Sequence, residues 1–352
     1  MNAALPLGTT ATEPDLLMRA ENVKVHFPIK RGVLKRTVGH VRAVDGISLD
    51  IRHGETLSIV GESGCGKTTL GQALVRVLEP TEGRILFARE GEAECDIAHL
   101  GETQLRPYRS QIRMIFQDPF ASLNPRRRVI DIIGESLRNF GVTEEREVEA
   151  KVAELLHKVG LRPEYMERYP YAFSGGERQR IGIARALAVH PRLVVADECV
   201  SALDVSIQAQ TLNLMQDLQE EFALTYVFIS HDLGVVEYIS DRVAVMYAGR
   251  VVELSDTEPL FARPRHPYTA ALLASVPRPD PKGARQRKQM RLKGEVADPA
   301  HRPAGCAFHP RCPFATDRCR IDDPQLRPVD GHMVACHYAE SLDLKGVHAD
   351  AA

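Results

Sequence analysis

The stretch Gly61-Glu-Ser-Gly-Cys-Gly-Lys-Thr68 stands between an apolar run, Thr56-Leu-Ser-Ile-Val60, and the segment Thr69-Leu-Gly-Gln-Ala-Leu-Val75. That order reads as strand, glycine loop, helix. The spacing Gly61-x4-Gly66-Lys67-Thr68 is the phosphate-binding loop pattern. Glycines let successive backbone N–H groups turn inward as an anion nest, and the positive end of the following helix points at the same place. Lys67 is placed to neutralise the β- and γ-phosphates, and the Thr68 hydroxyl to ligate Mg²⁺. The candidate nucleotide contacts are Gly61, Glu62, Ser63, Gly64, Cys65, Gly66, Lys67, Thr68 and Thr69. A chance glycine-rich turn has no reason to fill every fixed position between a strand and a helix. The loop specifies a nucleoside triphosphate; what the energy drives has to come from the rest of the chain.

The 352 residues have room for one large domain with appendages, or for two. A hydrophobic fraction of 44% and a formal net charge of −2 argue against disorder and against a nucleic-acid-coating protein. No segment approaches the roughly 18 apolar residues of a membrane span. Met1 to Leu16 contains Glu13 and Asp15 and lacks the pattern of a secretory signal, so it reads as a loose tail. The expectation is a soluble protein of the cytoplasm, held at a membrane only through a partner.

Outward from the loop, Leu17 to Phe27 alternates as a strand, Pro28 to His40 reads as a basic, loop-like insert, and Ala43 to Ile51 as a second strand. Between Asp118 and Tyr171 the pattern turns helical. Val148, Val152, Leu155, Leu156 and Val159 fall on one helical face, with Glu144, Glu145 and Glu147 near its start, where the helix dipole favours acids. The β/α alternation then returns. Leu193-Val-Val-Ala196 and Tyr226-Val-Phe-Ile229 are wholly apolar, as expected of strands buried on both faces. Segments around Gly249 suggest a hairpin, Pro259 to Val276 is helical in part, and Pro277 to Pro303 reads as a linker.

Several pieces bear on the loop. Asp197-Glu198 ends an apolar strand. Asp197 suits Mg²⁺, and Glu198 suits a general base that polarises the attacking water. Ser174 caps a helix whose first residues, Gly175 and Gly176, leave N–H groups exposed, which makes a second anion-binding helix start. One phosphate loop has no use for a second phosphate site unless two copies face each other. Each piece has an ordinary structural reading when taken alone: a strand-end acidic pair, a capped helix, a surface glutamine, a structural histidine.

The order phosphate loop, Gln117, Ser174-Gly-Gly-Glu177, Asp197-Glu198 and His231 resembles the ATP-binding cassette ATPases, over about Leu17 to Leu260. The resemblance implies two cassettes sandwiching two ATP molecules head to tail. Ser174, Gly175, Gly176 and Glu177 would then meet the nucleotide of the other cassette. Glu177 stands where the family most often has glutamine, and Cys199 where it usually has proline. The resemblance also implies roles for Gln117 at Mg²⁺ and the attacking water, for His231 at the γ-phosphate, for Asp204 at the dimer seam and for Phe27 stacking on adenine, although a core position for Phe27 is the ordinary alternative. The implied fold is an α/β P-loop NTPase cassette with an antiparallel β subdomain, an inserted helical subdomain (about 118–175) and a small Cys-rich C-terminal module. The implied boundaries are a tail (1–16), the ATPase domain (17–260), an extension and linker (261–303), a four-Cys module (304–338) and a second tail (339–352).

Phe116 to Pro125, Ala202 to Gln210 and His266-Pro-Tyr-Thr269 resemble the ATPases of dipeptide and oligopeptide importers. That resemblance implies two transmembrane permease subunits, a second ATPase (paralogue or self), an extracytoplasmic solute-binding protein, no nucleic acid, and a place on the cytoplasmic face of the inner membrane. Rival classes are a soluble cassette ATPase acting on DNA or ribosomes, and a redox-sensing regulatory ATPase. The former usually carries two cassettes or a long coiled coil, and neither is visible here. Cys306, Cys312, Cys319 and Cys336 are spaced without the paired CxxC of zinc ribbons. In a reducing compartment such a bunch suits a metal site. The expectation is a structural [4Fe–4S] cluster, with Zn²⁺ and His309 or His337 as the alternative.

Overall fold

In the computed structural model, Thr56–Val60 forms strand β3, buried along its whole length. The structure describes residues 15–32, 36–89, 91–275, 297–298 and 300–347. β3 is flanked by parallel neighbours β8 (Thr225–Ile229) and β9 (Arg242–Tyr247). Beyond β8 lie β7 (Leu193–Asp197) and β6 (Ile112–Ile115), also parallel. Beyond β9 the sheet turns antiparallel through β10 (Arg250–Asp256), β12 (His332–Val334) and β11 (Arg327–Val329). Parallel strands buried on both faces have no polar side to show, which is why these runs are continuous in Val, Ile and Leu. Their residues alternate between two cores. Val194, Ala196, Tyr226 and Phe228 face the helical side. Leu193, Val195, Val227 and Ile229 face the second sheet.

That second sheet has the order β2-β1-β4-β5, built from β1 (Leu16–Arg31), β2 (Arg36–Arg52), β4 (Glu82–Phe87) and β5 (Cys95–Asp96). Here the structure corrects the sequence: most of Pro28 to His40 is strand, because β1 runs on to Arg31 and β2 begins at Arg36. Lys30, Arg31 and Arg36 are exposed at the ends of two strands that pair backbone to backbone from Leu16↔Arg52 to Arg31↔Arg36.

α1 (Lys67–Leu74) follows the glycine loop and α2 (Glu102–Gln111) precedes β6. Between β6 and β7 lie α3 (Pro119–Ser122), α4 (Val129–Asn139), α5 (Glu145–Lys158) and α6 (Gly175–Leu187). These helices begin near residue 118, where the helical insertion is expected to start, and run past its expected end at about 175 to Leu187. Val148, Val152, Leu155, Leu156 and Val159 are all buried on one face of α5 and its C-terminal end. Each such side chain contributes about 1.5–3 kcal/mol by leaving water. α7 (Val205–Phe222) and α8 (Leu233–Ile239) complete the crossovers to β8 and β9.

After β10 come α9 (Thr257–Ala262), α10 (Pro267–Ala274) and the short α11 (Asp317–Ile321). The cysteine-bearing region is not an appendage on a tether: its hairpin β11–β12 extends the main sheet, pairing Glu253↔Val334. Glu253 is fully buried and accepts from the Arg265 and His266 backbone N–H groups and from His332 Nδ1 at 2.7, 3.0 and 2.9 Å. A single buried carboxylate thus joins β10, the start of α10 and β12. Residues past Tyr338, expected to trail as a tail, are packed as far as Val347. Ala339 and Leu344 are buried, and Val347 N–H donates to Phe261 O at 2.7 Å. Most of the expected linker, and residues 1–14 of the N-terminal tail, lie outside the described residues.

Candidate functional site: the phosphate loop and its surroundings

The glycine loop is fixed by close backbone approach. Gly61 has φ +152° and Gly66 +103°, and a Cβ would lie 2.3 Å from Met246 O at the first and 2.0 Å from Ala43 O at the second. Only glycine fits these positions. Lys67 is buried, and its Nζ donates to Gly61 O at 2.8 Å and Glu62 O at 3.1 Å. The ammonium is thereby held inside the curve of the loop, where a bound anion would meet it.

The sheet order then brings the chemistry together. β8, β7 and β6 are consecutive neighbours, so residues at their C-terminal ends converge. Asp197 closes β7, and Thr68 Oγ1 donates to its Oδ1 at 3.0 Å. Burial raises the Asp197 carboxyl above its ordinary value, against the opposing Thr68 hydrogen bond and Lys67 charge. Glu198 follows with φ +45°, a left-handed backbone in a non-glycine residue, costing about 1–2 kcal/mol. Its N–H donates to Ile229 O at 2.9 Å. Strain of this kind persists where the surroundings over-determine it, commonly at working sites. The Glu198 carboxylate lies between two partners: Gln117 Nε2 donates to Oε2 at 2.8 Å, and His231 Nδ1 is 3.3 Å from Oε1. The hydroxyl, carboxylate and amide oxygens of Thr68, Asp197 and Gln117 are hard donors of the kind Mg²⁺ prefers.

Other expected residues stand apart. Ser174 caps α6 in a reciprocal box: Glu177 N–H donates to Ser174 Oγ at 3.3 Å, and Ser174 N–H to Glu177 Oε2 at 2.9 Å. The glutamate at the position where glutamine is usual is thus a capping residue. The polar contacts of Ser174 are local, and it is exposed, with Gly175 and Gly176 half-buried beside it. Asp204 is exposed at the start of α7. Phe27 is 41% exposed, not a core residue.

All seven cysteines are free thiols. Cys306, Cys312, Cys319 and Cys336 line one small cavity with Phe308 and His309. Burial pushes the Cys312 thiol up to about 12 and that of Cys336 to about 11. Tyr338 N–H points at Cys336 Sγ at 3.5 Å. Among the described residues, however, no group of three or more His, Cys, Asp or Glu side chains is arranged to hold a metal ion. The four thiols line one cavity, as their bunching in sequence suggests, but the metal-holding group expected of them is not seen among the described residues.

Sequence reasoning missed a clamp on the loop. Glu62 N–H donates to Tyr268 Oη at 2.9 Å. Arg311 Nη1 and Nη2 donate to the two Glu62 carboxylate oxygens at 2.6 and 2.9 Å. Both partners come from the C-terminal region, and no local pattern in the sequence announces contacts over such separations. A wide cleft of about 720 Å³ also opens beside the site, lined by Phe116, Gln117, Arg113, Arg185, Glu135 and Asp197 among others.

A glycine loop, a buried strand-end aspartate and a flanked glutamate on the parallel strands of one sheet define a P-loop ATPase. The family described as "ABC transporter" matches residues 44–201, and "Oligopeptide/dipeptide transporter, C-terminal region" matches residues 252–319. The "Probable peptide ABC transporter ATP-binding protein y4tS" of Sinorhizobium fredii is 54% identical over 92% of this chain and 90% of its own length. The "Oligopeptide transport ATP-binding protein AppF" of Bacillus subtilis is 52% identical over 93% and 99%. Among solved structures, the dimeric post-hydrolysis state of the ATP-binding cassette MJ0796 bound to ADP and Pi is similar, with TM-score 0.60 and 26% identity over 68% of this chain and 99% of that one. The chain belongs to the ATP-binding proteins of the ABC transporters.

Proposed function

We propose that this ABC ATPase energises the uptake of dipeptides or oligopeptides through transmembrane partner subunits. The observation that carries the catalytic part is the Glu198 carboxylate held between Gln117 and His231 beside the Thr68–Asp197 pair. The solute class rests on the named activities of the similar proteins and on the matching C-terminal region.

In this reading Lys67 and the loop N–H groups hold the β- and γ-phosphates of ATP. Thr68 and Asp197, with Gln117, would hold Mg²⁺, which supplies charge neutralisation on the phosphoryl oxygens. Glu198 takes a proton from the attacking water, and Gln117 keeps the carboxylate turned toward it. His231 donates to the γ-phosphate. Ser174, Gly175, Gly176 and Glu177 complete the site of a second cassette, paralogue or self, with Asp204 at the seam. Phe27 is exposed on β1 and free to stack on adenine. The cleft lined by Phe116 and Gln117 receives the permease, so its occupation reaches Glu198 through Gln117. A solute-binding protein outside delivers the peptide, and the ATPase works on the cytoplasmic face of the membrane. Among the described residues no helix is long and apolar enough to cross it.

The four-Cys module is proposed to hold a [4Fe–4S] cluster. What supports this reading is that four thiols line one small cavity, the number of ligands a four-iron cluster takes. The cluster would supply a structural cross-link. A tagged chain recovered from detergent-solubilised membranes tests the assembly. Two membrane-spanning proteins and a second cassette are expected with it; recovery free of membrane proteins contradicts the reading.

A further inference from the structure

An acidic side chain inside a phosphate loop works against the loop's purpose. Glu62 is such a residue, directly after Gly61. A carboxylate there repels a triphosphate unless its charge is met locally. The structure meets it from far away in sequence: Arg311 grips both Glu62 oxygens in a two-pronged contact at 2.6 and 2.9 Å. This fork geometry is strong and directional. The Arg311 side chain is 6% exposed and that of Glu62 26%, so water screens the pair only from the Glu62 side.

The clamp is itself held. Arg311 lies 5.9 Å over the Tyr247 ring, and Tyr247, Tyr268 and Phe308 pack edge to face or tilted at 4.7–5.4 Å. Tyr268 carries the hydroxyl that accepts from Glu62 N–H. Side chain and backbone of one loop residue are therefore fixed by two groups that share one aromatic cluster. Arg311 stands next to Cys312 in the turn Cys306–Cys312, closed by Cys312 N–H to Phe308 O at 3.1 Å.

We propose that Arg311 is a positioning residue for the nucleotide site: it docks the cysteine-bearing module on the phosphate loop and cancels the Glu62 charge, so that nucleotide affinity depends on that module being in place. The proposal rests on the loop binding ATP and goes beyond it. Removing the guanidinium frees Glu62 to turn toward the phosphates. The penalty grows with phosphate charge and is larger for ATP than for ADP.

The test is a double-mutant cycle on the full chain, read as the dissociation constant of a fluorescent ATP analogue, with a circular-dichroism melt as the folding control. Arg311→Ala is expected to bind about tenfold more weakly. Glu62→Gln alone is expected to bind at least as tightly as the parent. The pair Glu62→Gln with Arg311→Ala is expected to recover to within about threefold of the parent. Where Arg311→Ala does not fold, Arg311→Gln, which keeps length and hydrogen bonding and loses only charge, takes its place in the cycle. Lys67→Ala, which attacks the loop itself, separates the two ideas: if it too leaves affinity unchanged, ATP binding at this loop is the claim that fails. An arginine variant that binds like the parent while Lys67→Ala does not overturns the clamp. So does a double variant no better than the arginine variant alone, which would mark Arg311 as merely structural.

Discussion

Gln117 Nε2 and Glu198 Oε2 meet at 2.8 Å although 81 residues separate them in sequence. The sheet order puts β6 beside β7, and the two side chains emerge from adjacent strand ends. The contact fixes one oxygen of the carboxylate and leaves the other facing His231 Nδ1 at 3.3 Å. In the proposed function this orientation is what readies Glu198 to take a proton from water. Glu198→Gln is expected to bind ATP within about threefold of the parent and to lose about 10²–10⁴-fold in turnover. Phosphate release at saturating ATP measures this, and normal turnover would remove Glu198 from the role of base. Lys67→Ala is expected to fail earlier, at binding.

The proposed role of Asp197 at Mg²⁺ predicts opposite effects on stability and activity. Burial raises its carboxyl above the ordinary value of 3.8. The folded chain therefore holds that proton more tightly than the unfolded one, and stability falls as pH rises through the shifted value. The cost of the buried carboxylate is thus felt above the shifted value and is absent below the ordinary one. Asp197→Asn is expected to raise Tm by about 2 °C at pH 7 without Mg²⁺, with the gain vanishing below pH 3.8, while Mg²⁺-dependent hydrolysis is lost. A lower Tm at pH 7 would contradict the assignment of burial as the stronger influence.

His266 gives the opposite pH sign. It is buried, it caps α10 by accepting from Tyr268 N–H at 3.0 Å, and burial lowers it to about 4. The unfolded histidine takes up its proton near 6.5, so stability is lost as pH falls from there toward 4. His266→Asn keeps a capping side chain that does not titrate. Urea unfolding across this range is expected to show an acid-induced loss smaller by up to about 3 kcal/mol in the variant. Equal slopes in parent and variant would contradict it.

The cysteine module makes a spectroscopic prediction. Anaerobically purified protein is expected to show broad visible charge-transfer absorption and about four iron atoms per chain, both lost in Cys312→Ser. Colourless protein without iron by elemental analysis would sink the cluster, and stoichiometric zinc would replace it with the alternative.

The phosphate loop and the Asp197–Glu198 pair stand out in the sequence because their patterns are local: a loop, or a pair at the end of an apolar run. The face of α5 was legible through its 3.6-residue period, and all five marked residues are buried. The hairpin at Pro28 to His40 was hidden because exposed basic residues look like a loop, while pairing along β1 and β2 is a backbone matter. The C-terminal strands were hidden for another reason. β12 is three residues long, and it becomes a strand only by pairing with β11 on one side and with β10, beside buried Glu253, on the other. The Arg311–Glu62 clamp was invisible because only folding brings its partners together.

Peptide uptake tests the account most directly. In cells lacking this chain, accumulation of a radiolabelled di- or tripeptide is measured after supplying the parent chain or Glu198→Gln at equal levels. The account predicts that the parent restores uptake and the variant does not. Uptake undiminished by loss of the chain, or restored as well by Glu198→Gln, would contradict it.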